Sequence, residues 1–484
     1  MTRAHRTFAS ACVLAIVLVA QAHAASGTTD FGASSPSLSA CRLPGVSTPA
    51  RCGHFDVPEN PARPEGRHLS IAVAVLPARS TPARHDPMVF LSGGPGESAI
   101  DSASDVGADL ASMFADRDVL LIDQRGTGRS SPLACDLDAG NHAVAAVEHF
   151  LPPASIERCR KTLQARADLT QYSFLRFADD LEHVRRALGY DPVNLYALSY
   201  GTRAAQVYLR AYPDSVRTAY LGSVVPIDIP MPLPFARVAQ DTLEATISAC
   251  ERDAICAAAF PALRQETKEV FARLAAGKVE VSVPGTQVHA RLSAGRVAER
   301  LRTMMYKPAG AADVPWTIHR AFLGDWQPLV GGILEGARGF SAEFSTGVFF
   351  SITCAEDVRF IREADIAPAV SGTYLGDFRV REQQAACADW PKADLPAGYR
   401  EPVRSSVPTL FVSGDLDPAT PNAFADHVAA GFTRHADLLL RGQGHSGWSD
   451  CAARVYQAFV RSGSVEGLDT TCAPTPRPGF RTRD

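Results

Sequence analysis

The chain has 484 residues, of which 46% are hydrophobic and 21% charged, and its formal net charge is −4. This composition excludes a disordered tail, a collagen-like fibre and a small disulfide knot, because there is enough apolar surface for a large core. The slight acidic balance also argues against a dedicated nucleic-acid binder. The length fits one large domain with an insertion, or two domains.

The N-terminal segment predicts export. Basic residues precede an apolar run over residues 8–20, and small residues stand at Ala22 and Ala24, the positions that a signal peptidase reads. A helix over this run would extend about 20 Å, less than the roughly 30 Å of a bilayer core, which disfavours a membrane anchor. We expect residues 1–24 to be a cleaved signal peptide and 25–40 a flexible leader, with no stable membrane insertion afterwards. The destination is then the periplasm or the exterior.

Loss of the signal peptide removes Cys12 and leaves an even number of cysteines. An oxidising compartment favours disulfides among them, with buried free thiols as the alternative. The sequence alone allows on the order of 10³ connectivities, and we predict local bridges between near neighbours. The expected pairs are Cys41 with Cys52, Cys135 with Cys159, Cys250 with Cys256, Cys354 with Cys387, and Cys451 with Cys472. No CxxC or HExxH pattern is present, so we expect no metal site.

In chain order, apolar runs alternate with helical patterns from residue 68 onward. The runs are typical of strands in a buried parallel sheet, and the helical patterns between the later runs predict helices on both faces of that sheet. The predicted strands cover residues 68–76, 87–91, 119–122, 193–197 and 218–225, and the predicted helices cover residues 177–188 and 202–212.

This alternation of strand and helix patterns is interrupted over residues 226–407, where the apolar residues mostly follow a helical period and two short segments resemble strands. The interruption is too long for a loop and predicts a second folding unit lying over the carboxyl edge of the strands. The alternation then resumes, with strands at 409–412 and 436–440 and helices at 422–431 and 450–461.

A serine stands at the junction of a predicted strand and a predicted helix. Ser199 has Ala197 two positions before it and Gly201 two positions after it. A nucleophile elbow needs small residues at both places, because the backbone packs closely and the serine must project into a cleft. Ala197 in place of the usual glycine is a mild departure. The alternative for such a serine is an ordinary helix N-cap.

An acid and a histidine follow this serine, each after a later strand, which is the order that a nucleophile elbow calls for. The first of these strands leads into Asp415 and Asp417, and the second leads into His445, which has glycines close by on both sides. We favour Asp417 as the catalytic acid because it lies further into the loop, while Asp415 would brace the turn. The predicted catalytic residues are therefore Ser199, Asp417 and His445.

The oxyanion that forms on attack needs two backbone N–H donors. One is expected from Tyr200, at the positive end of the helix after the serine. The other is expected from Gly94 in the turn at residues 93–96, where no Cβ obstructs the approach of a ligand to the main chain. Gly126 and Gly128 lack the spacing and the ending of a phosphate loop, so we interpret them as a structural turn near the cleft.

Four blocks of sequence carry a resemblance to a known family. They are Gly93-Gly94-Pro95-Gly96, Asp123-Gln124-Arg125-Gly126-Thr127-Gly128-Arg129-Ser130, the helix from Asp180-Leu181 to Leu188-Gly189 that leads into Ser199-Tyr200-Gly201, and Asp417-Pro418-Ala419-Thr420-Pro421. In these blocks the chain resembles the secreted tripeptidyl aminopeptidases and proline iminopeptidases, a family of serine peptidases. The resemblance runs from Cys52 to Cys472 and is weakest over residues 226–407.

This resemblance implies an α/β-hydrolase fold, with a mostly parallel central sheet and a large, mainly helical cap inserted before the strand that carries the catalytic acid. Residues 41–225 would form the first part of the core, 226–407 the cap and 408–484 the second part of the core, a TAP-like C-terminal region. The family triad maps onto the serine, acid and histidine already chosen, and Thr420 would brace the acid loop.

The family also implies hydrolysis near the free N-terminus of peptides, with the cap closing the cleft. A buried ammonium needs an acidic partner, for which the candidates are Glu356, Asp357 and Glu97. For Glu356 the alternative is a solvated cap carboxylate. Peptides with a free N-terminus are the expected partners, and no metal or organic cofactor is needed. The same triad and fold also serve carboxylesterases, which stays an alternative, whereas a catalytically silent binding protein is disfavoured because all three triad residue types are present.

Overall fold

The computed structural model describes residues 38–135, 137 and 142–483. The predicted signal peptide and most of the predicted leader lie outside these residues. The strands within the described ranges are β1 (Ser39–Cys41), β2 (Ala50–Pro58), β3 (His68–Leu76), β4 (Arg84–Leu91), β5 (Arg117–Ile122), β6 (Val193–Leu198), β7 (Val216–Gly222), β8 (Glu280–Ser282), β9 (His289–Arg291), β10 (Thr409–Gly414) and β11 (His435–Leu440).

The α-helices are α1 (Val106–Met113), α2 (His142–Glu148), α3 (Pro153–Gln164), α4 (Phe174–Ala187), α5 (Tyr200–Ala211), α6 (Phe235–Arg252), α7 (Ala254–Ala259), α8 (Leu263–Ala275), α9 (Ala294–Met304), α10 (Pro308–Phe322), α11 (Gln327–Glu343), α12 (Thr346–Glu356), α13 (Glu363–Val370), α14 (Phe378–Cys387), α15 (Asn422–Ala429) and α16 (Asp450–Ser462). Among the described residues, none of these helices has the length and apolarity needed to cross a bilayer.

Nine strands form one sheet in the order β1-β2-β3-β5-β4-β6-β7-β10-β11. The first four of them pair antiparallel, and every pair from β5 to β11 is parallel. The carboxyl ends of β4, β6, β10 and β11 therefore lie along one edge, where ligands of open α/β sheets bind. This arrangement confirms the mostly parallel sheet that the sequence predicted.

Both faces of the sheet are covered by helices. Val89 and Leu91 on β4 belong to the core cluster that α4 and α5 complete. Met88 and Phe90 on the same strand belong to the opposite cluster, shared with α1 and α16. The alternation of side chains along a strand thus supplies apolar groups to two cores, which explains why the parallel strands read as continuous apolar runs.

Helices α6 to α14, with the small antiparallel pair β8–β9, are inserted between β7 and β10. Part of this insertion pairs directly with the loop after β4, since the Ser345 N–H donates to the Gly96 carbonyl at 2.8 Å and Phe344 forms an isolated bridge with Glu97. A Cβ on Gly96 would stand 2.9 Å from the Ser345 carbonyl oxygen, so this close approach requires glycine.

The ten cysteines of the described chain are joined in the five local pairs that the sequence predicted. The bonds link Cys41 with Cys52, Cys135 with Cys159, Cys250 with Cys256, Cys354 with Cys387, and Cys451 with Cys472. Five disulfides fit an oxidising, extracytoplasmic environment.

Candidate active site

Ser199 lies in the sharp turn between β6 and α5. Its backbone adopts φ 53° and ψ −127°, a conformation that non-glycine residues rarely take and that projects the side chain out of the turn. The neighbouring strand approaches so closely that a Cβ on Gly201 would stand 2.1 Å from the Leu91 carbonyl oxygen. Helix α5 accordingly begins at Tyr200 with glycine as its second residue, and the elbow geometry expected for Ser199 is present.

His445 and Asp417 meet on the loops after β11 and β10. The Nδ1 of His445 lies 2.8 Å from Oδ2 of Asp417, which is fully enclosed. Burial works to raise the pKa of Asp417, but His445 and the hydrogen bonds from Thr420 outweigh it, so the pKa lies below its usual value. Asp417 is thus an ionised partner for the imidazole, while Asp415 accepts the Gly442 N–H at 2.8 Å and braces the turn.

Two hydroxyl groups hold the Asp417 carboxylate in place. The Thr420 hydroxyl donates to Oδ2 at 2.7 Å and lies 3.1 Å from Nδ1 of His445. The Ser223 hydroxyl donates to the same oxygen at 3.0 Å, while the N–H of Ser446 donates to Ser223 at 2.7 Å. The bracing role of Thr420 was expected from the resemblance, whereas Ser223 was not among the predicted site residues. Its position directly after β7 is the feature of the sequence that could have indicated it.

A cap residue supports the histidine from its other side. The His445 N–H donates to the Tyr306 carbonyl at 2.9 Å, and the two rings are 4.8 Å apart. The Tyr306 hydroxyl in turn accepts a hydrogen bond from Arg302 at 2.7 Å. The segment between α9 and α10 therefore helps to orient the ring that would move the proton.

Gly94 and Tyr200 border the same cavity as Ser199. Gly94 has φ +107°, and a Cβ there would stand 2.9 Å from the Gly96 nitrogen, so a side chain would disrupt the turn. The N–H of Tyr200 belongs to the first turn of α5, where the helix dipole favours negative charge. Both residues therefore line the cavity that Ser199 borders, and their role as oxyanion donors stays a prediction.

The cavity between the cap and the sheet edge has a volume of about 400 Å³. Its walls include seven aromatic residues, three acidic residues and three basic residues. The aromatic and charged lining residues are Phe150, Tyr200, Phe235, Tyr306, Phe340, Phe344, Phe349, Glu299, Glu335, Glu343, Arg300, Arg302 and Arg379. A cavity of this size suits a small ligand or a short peptide. Sequence analysis missed all six charged residues, because it had no signal for which helix faces the cleft.

Glu97, one of the candidate amine-binding acids, lies beside Ser199. Its Oε2 accepts the Gly93 N–H at 3.1 Å, and the point where a Cβ on Gly93 would stand is 3.1 Å from Ser199 Cβ and 3.4 Å from this oxygen. Burial raises the pKa of Glu97, against the effects of the Gly93 N–H and of His445. The charge of Glu343 raises the pKa of Glu97 further, which indicates that the two carboxylates lie in the same region.

The other two candidates are not at the cavity. Glu356 accepts the Phe174 N–H at 2.9 Å through Oε1 and the Tyr399 hydroxyl at 2.6 Å through Oε2. Asp357 forms an ion pair of 2.7 Å with Arg203 and accepts the Tyr200 hydroxyl at 3.2 Å. Both carboxylates are fully buried and engaged by the protein itself. Neither is available to a substrate amine, and the alternative of a solvated cap carboxylate does not hold for Glu356 either.

The block at residues 123–130 is a structural turn, as the sequence suggested. Arg125 forms a buried bidentate pair with Asp180, with both N···O distances at 2.7 Å. Asp123 accepts the Ser98 hydroxyl at 2.7 Å, which ties this turn to the loop after β4. Within the described ranges, no group of three or more His, Cys, Asp or Glu side chains is arranged to hold a metal ion.

Comparison with known proteins agrees with this geometry. A family profile described as "alpha/beta hydrolase fold" matches residues 86–249, and one described as "TAP-like protein" matches residues 373–472. The tripeptidyl aminopeptidase of Streptomyces coelicolor is 25% identical over 476 residues, covering 89% of this chain and 84% of that protein. The serine protease Hip1 of Mycobacterium tuberculosis is 29% identical over 419 residues, covering 77% of each. The proline iminopeptidase of Aeromonas sobria is 32% identical over 143 residues, 29% of each chain.

The sheet order, the elbow serine and these matches define the protein as a serine hydrolase of the α/β-hydrolase class. Within that class it is a peptidase whose sequence is similar to those of the tripeptidyl aminopeptidases and related serine proteases.

Proposed function

We propose that the protein is an exported exopeptidase that cleaves peptide bonds near the free N-terminus of peptides through an acyl-enzyme on Ser199. The observation that carries this proposal is the 2.8 Å contact between Asp417 and His445 on the same sheet edge as the strained elbow of Ser199. Export would follow from the predicted signal peptide with cleavage after Ala24, and the five disulfides support it.

In the proposed mechanism His445 takes the proton of the Ser199 hydroxyl as its oxygen attacks the scissile carbonyl. Asp417 holds the ring and stabilises the imidazolium, and the N–H groups of Gly94 and Tyr200 bind the oxyanion. His445 then gives the proton to the leaving amine. Water attacks the acyl-enzyme with the same histidine as base, which releases the N-terminal product.

The cap supports a preference for chain ends. Residues 41–225 and 408–484 would form the hydrolase core, with 226–407 as the cap that closes the cleft against the middle of a long chain. An ammonium group in such a cleft needs a carboxylate. Glu335 and Glu343 on α11 line the cavity, and Glu97 lies beside the nucleophile. These three replace Glu356 and Asp357 as the candidates for amine recognition.

Labelling with a fluorophosphonate probe tests the nucleophile. We expect the wild-type protein to be labelled at Ser199 and Ser199→Ala to remain unlabelled. Ser371→Ala, at an exposed position remote from the cavity, serves as the matched control and should be labelled like the wild type. Labelling that persists in Ser199→Ala would overturn the assignment.

Hydrolysis of matched anilides and esters tests the substrate class. We expect cleavage of free-amine anilides carrying one, two or three residues, with the preferred length identifying the number of residues released, and little cleavage of the N-acetylated forms. Equal rates for free and acetylated peptides would exclude an aminopeptidase. Efficient hydrolysis of short acyl esters without anilide cleavage would favour the carboxylesterase, an alternative that the aromatic cavity walls also accommodate.

A further inference from the structure

Four arginines of the cap lie close together near one buried carboxylate. They come from α9 and α14, and this group, here termed the arginine cluster, consists of Arg296, Arg300, Arg302 and Arg379 around Glu299. Arg302 donates two hydrogen bonds to Glu299, from Nε at 2.9 Å and from Nη2 at 2.7 Å. The Nε of Arg379 lies 3.6 Å from Oε1 of the same carboxylate. The cluster borders both the cavity that contains Ser199 and a second cavity of about 170 Å³, which cap residues line together with Phe150 and Pro152.

The positive charge of this cluster exceeds its negative charge. Arg296, Arg302 and Arg379 are at most 6% exposed, and Glu299 is the buried carboxylate among them. Of the other acids nearby, Glu335 interacts with Arg300, and Glu382 is held by His149 at 2.8 Å and by the Leu151 N–H. Arg296, Arg302 and Arg379 share the single buried carboxylate of Glu299, which favours a further negative charge beside them.

The guanidinium groups lie close enough to repel one another. Burial, with smaller effects of Arg379 and Arg300, lowers the pKa of Arg296 to about 10, against the opposite effects of Glu299 and Glu382. Arg296 and Arg379 also pack on the same ring, at 5.4 and 3.9 Å from the centroid of Phe150. These contacts keep the side chains fixed, so the positive region is organised before any ligand arrives.

Two of the guanidinium groups keep unused hydrogen-bond capacity. Among the described residues, the buried Nε atoms of Arg300 and Arg379 have no hydrogen-bond partner, that of Arg379 lying 3.6 Å from Glu299, and both side chains line the cavity of Ser199. Arg300 lies flat against α11, where a Cβ on Gly332 would stand 2.4 Å from its Nε. Glu335 partly offsets the charge of Arg300 without hydrogen bonding to it. Arg379 donates one bond, to Gln383 at 2.7 Å.

We propose that the arginine cluster binds a carboxylate of the substrate and thereby gives the enzyme a preference for peptides that carry an acidic group. The planar fork of arginine matches a carboxylate with two parallel hydrogen bonds, and in a short peptide this group is an Asp or Glu side chain or the C-terminal carboxylate. Amine recognition at Glu335 and Glu343 and carboxylate recognition at Arg300 and Arg379 would then fix the direction of the peptide. This inference rests on the proposed function, since it takes Ser199 as the nucleophile and a free-amine peptide as the substrate.

Paired substrates test the inference and distinguish a side-chain carboxylate from the C-terminal carboxylate. Free-amine tripeptide anilides that differ only by Glu or Gln at each position report a side-chain carboxylate, and tetrapeptides with a free or amidated C-terminus report the terminal one. We expect kcat/KM to be about tenfold or more higher for the acidic member of one pair, because a buried site built for a charged partner discriminates strongly against its absence. Arg300→Gln and Arg379→Gln should reduce that ratio to about one.

Controls separate charge recognition from folding. Arg338→Gln on the exposed face of α11 removes the same charge and should keep the wild-type ratio. If Arg379→Gln fails to fold, the ratio of kcat/KM between acidic and neutral substrates is measured in Arg379→Lys and Arg300→Gln instead. The lysine variant is expected to keep part of the preference. A wild-type ratio near one for every pair, or a ratio unchanged in Arg300→Gln and Arg379→Gln, would overturn the proposal.

A binding measurement keeps this test independent of the peptidase assignment. Calorimetry on Ser199→Ala with the preferred acidic peptide and its neutral counterpart should show tighter binding of the acidic one, lost in the double variant with Arg300→Gln. Failure of anilide hydrolysis with this binding difference intact would count against the proposed function alone. Equal binding of both peptides would count against the carboxylate site alone.

Discussion

Thr420 connects the acid and the base of the proposed catalytic site, since its hydroxyl lies 2.7 Å from Asp417 Oδ2 and 3.1 Å from His445 Nδ1. We predict that Thr420→Val, which keeps the shape and removes the hydroxyl, lowers kcat by about 10- to 100-fold, the equivalent of one hydrogen bond to a charged group. The expected change is in kcat and little in KM, because Asp417 does not contact substrate. Thr433→Val at the surface is the control, and an unchanged kcat in Thr420→Val would contradict the bracing role.

Glu356 makes the stability of the protein depend on pH. Burial raises its pKa to about 7, although the Tyr399 hydroxyl and the Phe174 N–H favour the ionised form. The unfolded chain releases this proton near its ordinary pKa of about 4.3, so its contribution to stability is full below that pH and is lost as the pH rises through about 7.

Glu356→Gln removes this titration and keeps an acceptor for Phe174 and a partner for Tyr399. We predict that its free energy of unfolding, relative to the wild type, rises by up to about 3 kcal/mol between pH 4.5 and 7. Urea unfolding at several pH values measures this difference, with the exposed Glu466→Gln as control. A difference that stays constant with pH would show that Glu356 is ionised throughout the range.

The meeting of the proposed catalytic residues at one sheet edge could be predicted from the sequence for a physical reason. Ser199, Asp417 and His445 each follow a strand of one parallel sheet, and the carboxyl ends of such strands share an edge whatever the intervening chain does. Glu356 could not be assigned in the same way, because its partners Phe174 and Tyr399 lie 182 and 43 residues away and come together only through packing of the cap.

At the scale of elements, α5 and α12 are joined by a buried ion pair. Arg203 on α5 contacts Asp357, directly after α12, at 2.7 Å, and donates to the Pro226 carbonyl at 2.7 Å. The other Asp357 oxygen accepts the hydroxyl of Tyr200, the residue whose N–H faces the proposed oxyanion. The pair therefore fixes the first turn of the helix that follows the nucleophile.

We predict that Asp357→Asn lowers the free energy of unfolding by about 3–5 kcal/mol, because it leaves the Arg203 charge buried without its partner. Among molecules that remain folded, kcat should fall by about tenfold with KM little changed, because the proposed role of Tyr200 is to stabilise the transition state. Urea unfolding and steady-state kinetics measure the two effects. Asp365→Asn, which breaks a surface pair with Arg362, should change neither quantity. Loss of stability with normal kcat would make Asp357 a purely structural residue.

Elements with local signals were predicted and elements that depend on distant partners were not. The β3 strand shows alternation over its whole length, and helix α4 has an apolar stripe, a Ser173 cap on the Arg176 N–H and Gly189 after its end. By contrast β2 carries Gly53 and several polar residues, and its extended form depends on pairing with β3 at the edge of the sheet.

For the whole molecule, the cap divides one hydrolase core into two sequence segments. The nucleophile and the candidate oxyanion residues precede the cap, and the acid and histidine follow it. Sequence reasoning predicted the insertion from its length, because no loop of that size is structureless in a compact protein. It did not predict which helices face the cleft, since that depends on long-range contacts such as the Ser345 bond to Gly96.

The disulfides stabilise this divided molecule to different extents. The bridge between Cys354 and Cys387 spans 33 residues and joins α12 to α14, which carry Glu356 and Arg379, while that between Cys250 and Cys256 spans 6 residues. Loop-closure entropy predicts a loss of about 4 kcal/mol on replacing both cysteines of the long bridge by serine and about 2 kcal/mol for the short one. Urea unfolding of the two double variants measures the difference.

Alkylation tests the pairing of the cysteines. It should modify no cysteine of the folded wild-type protein after export and all ten after reduction. Equal losses in the two variants would show that chain entropy does not govern these bridges, and alkylation before reduction would contradict the pairing itself.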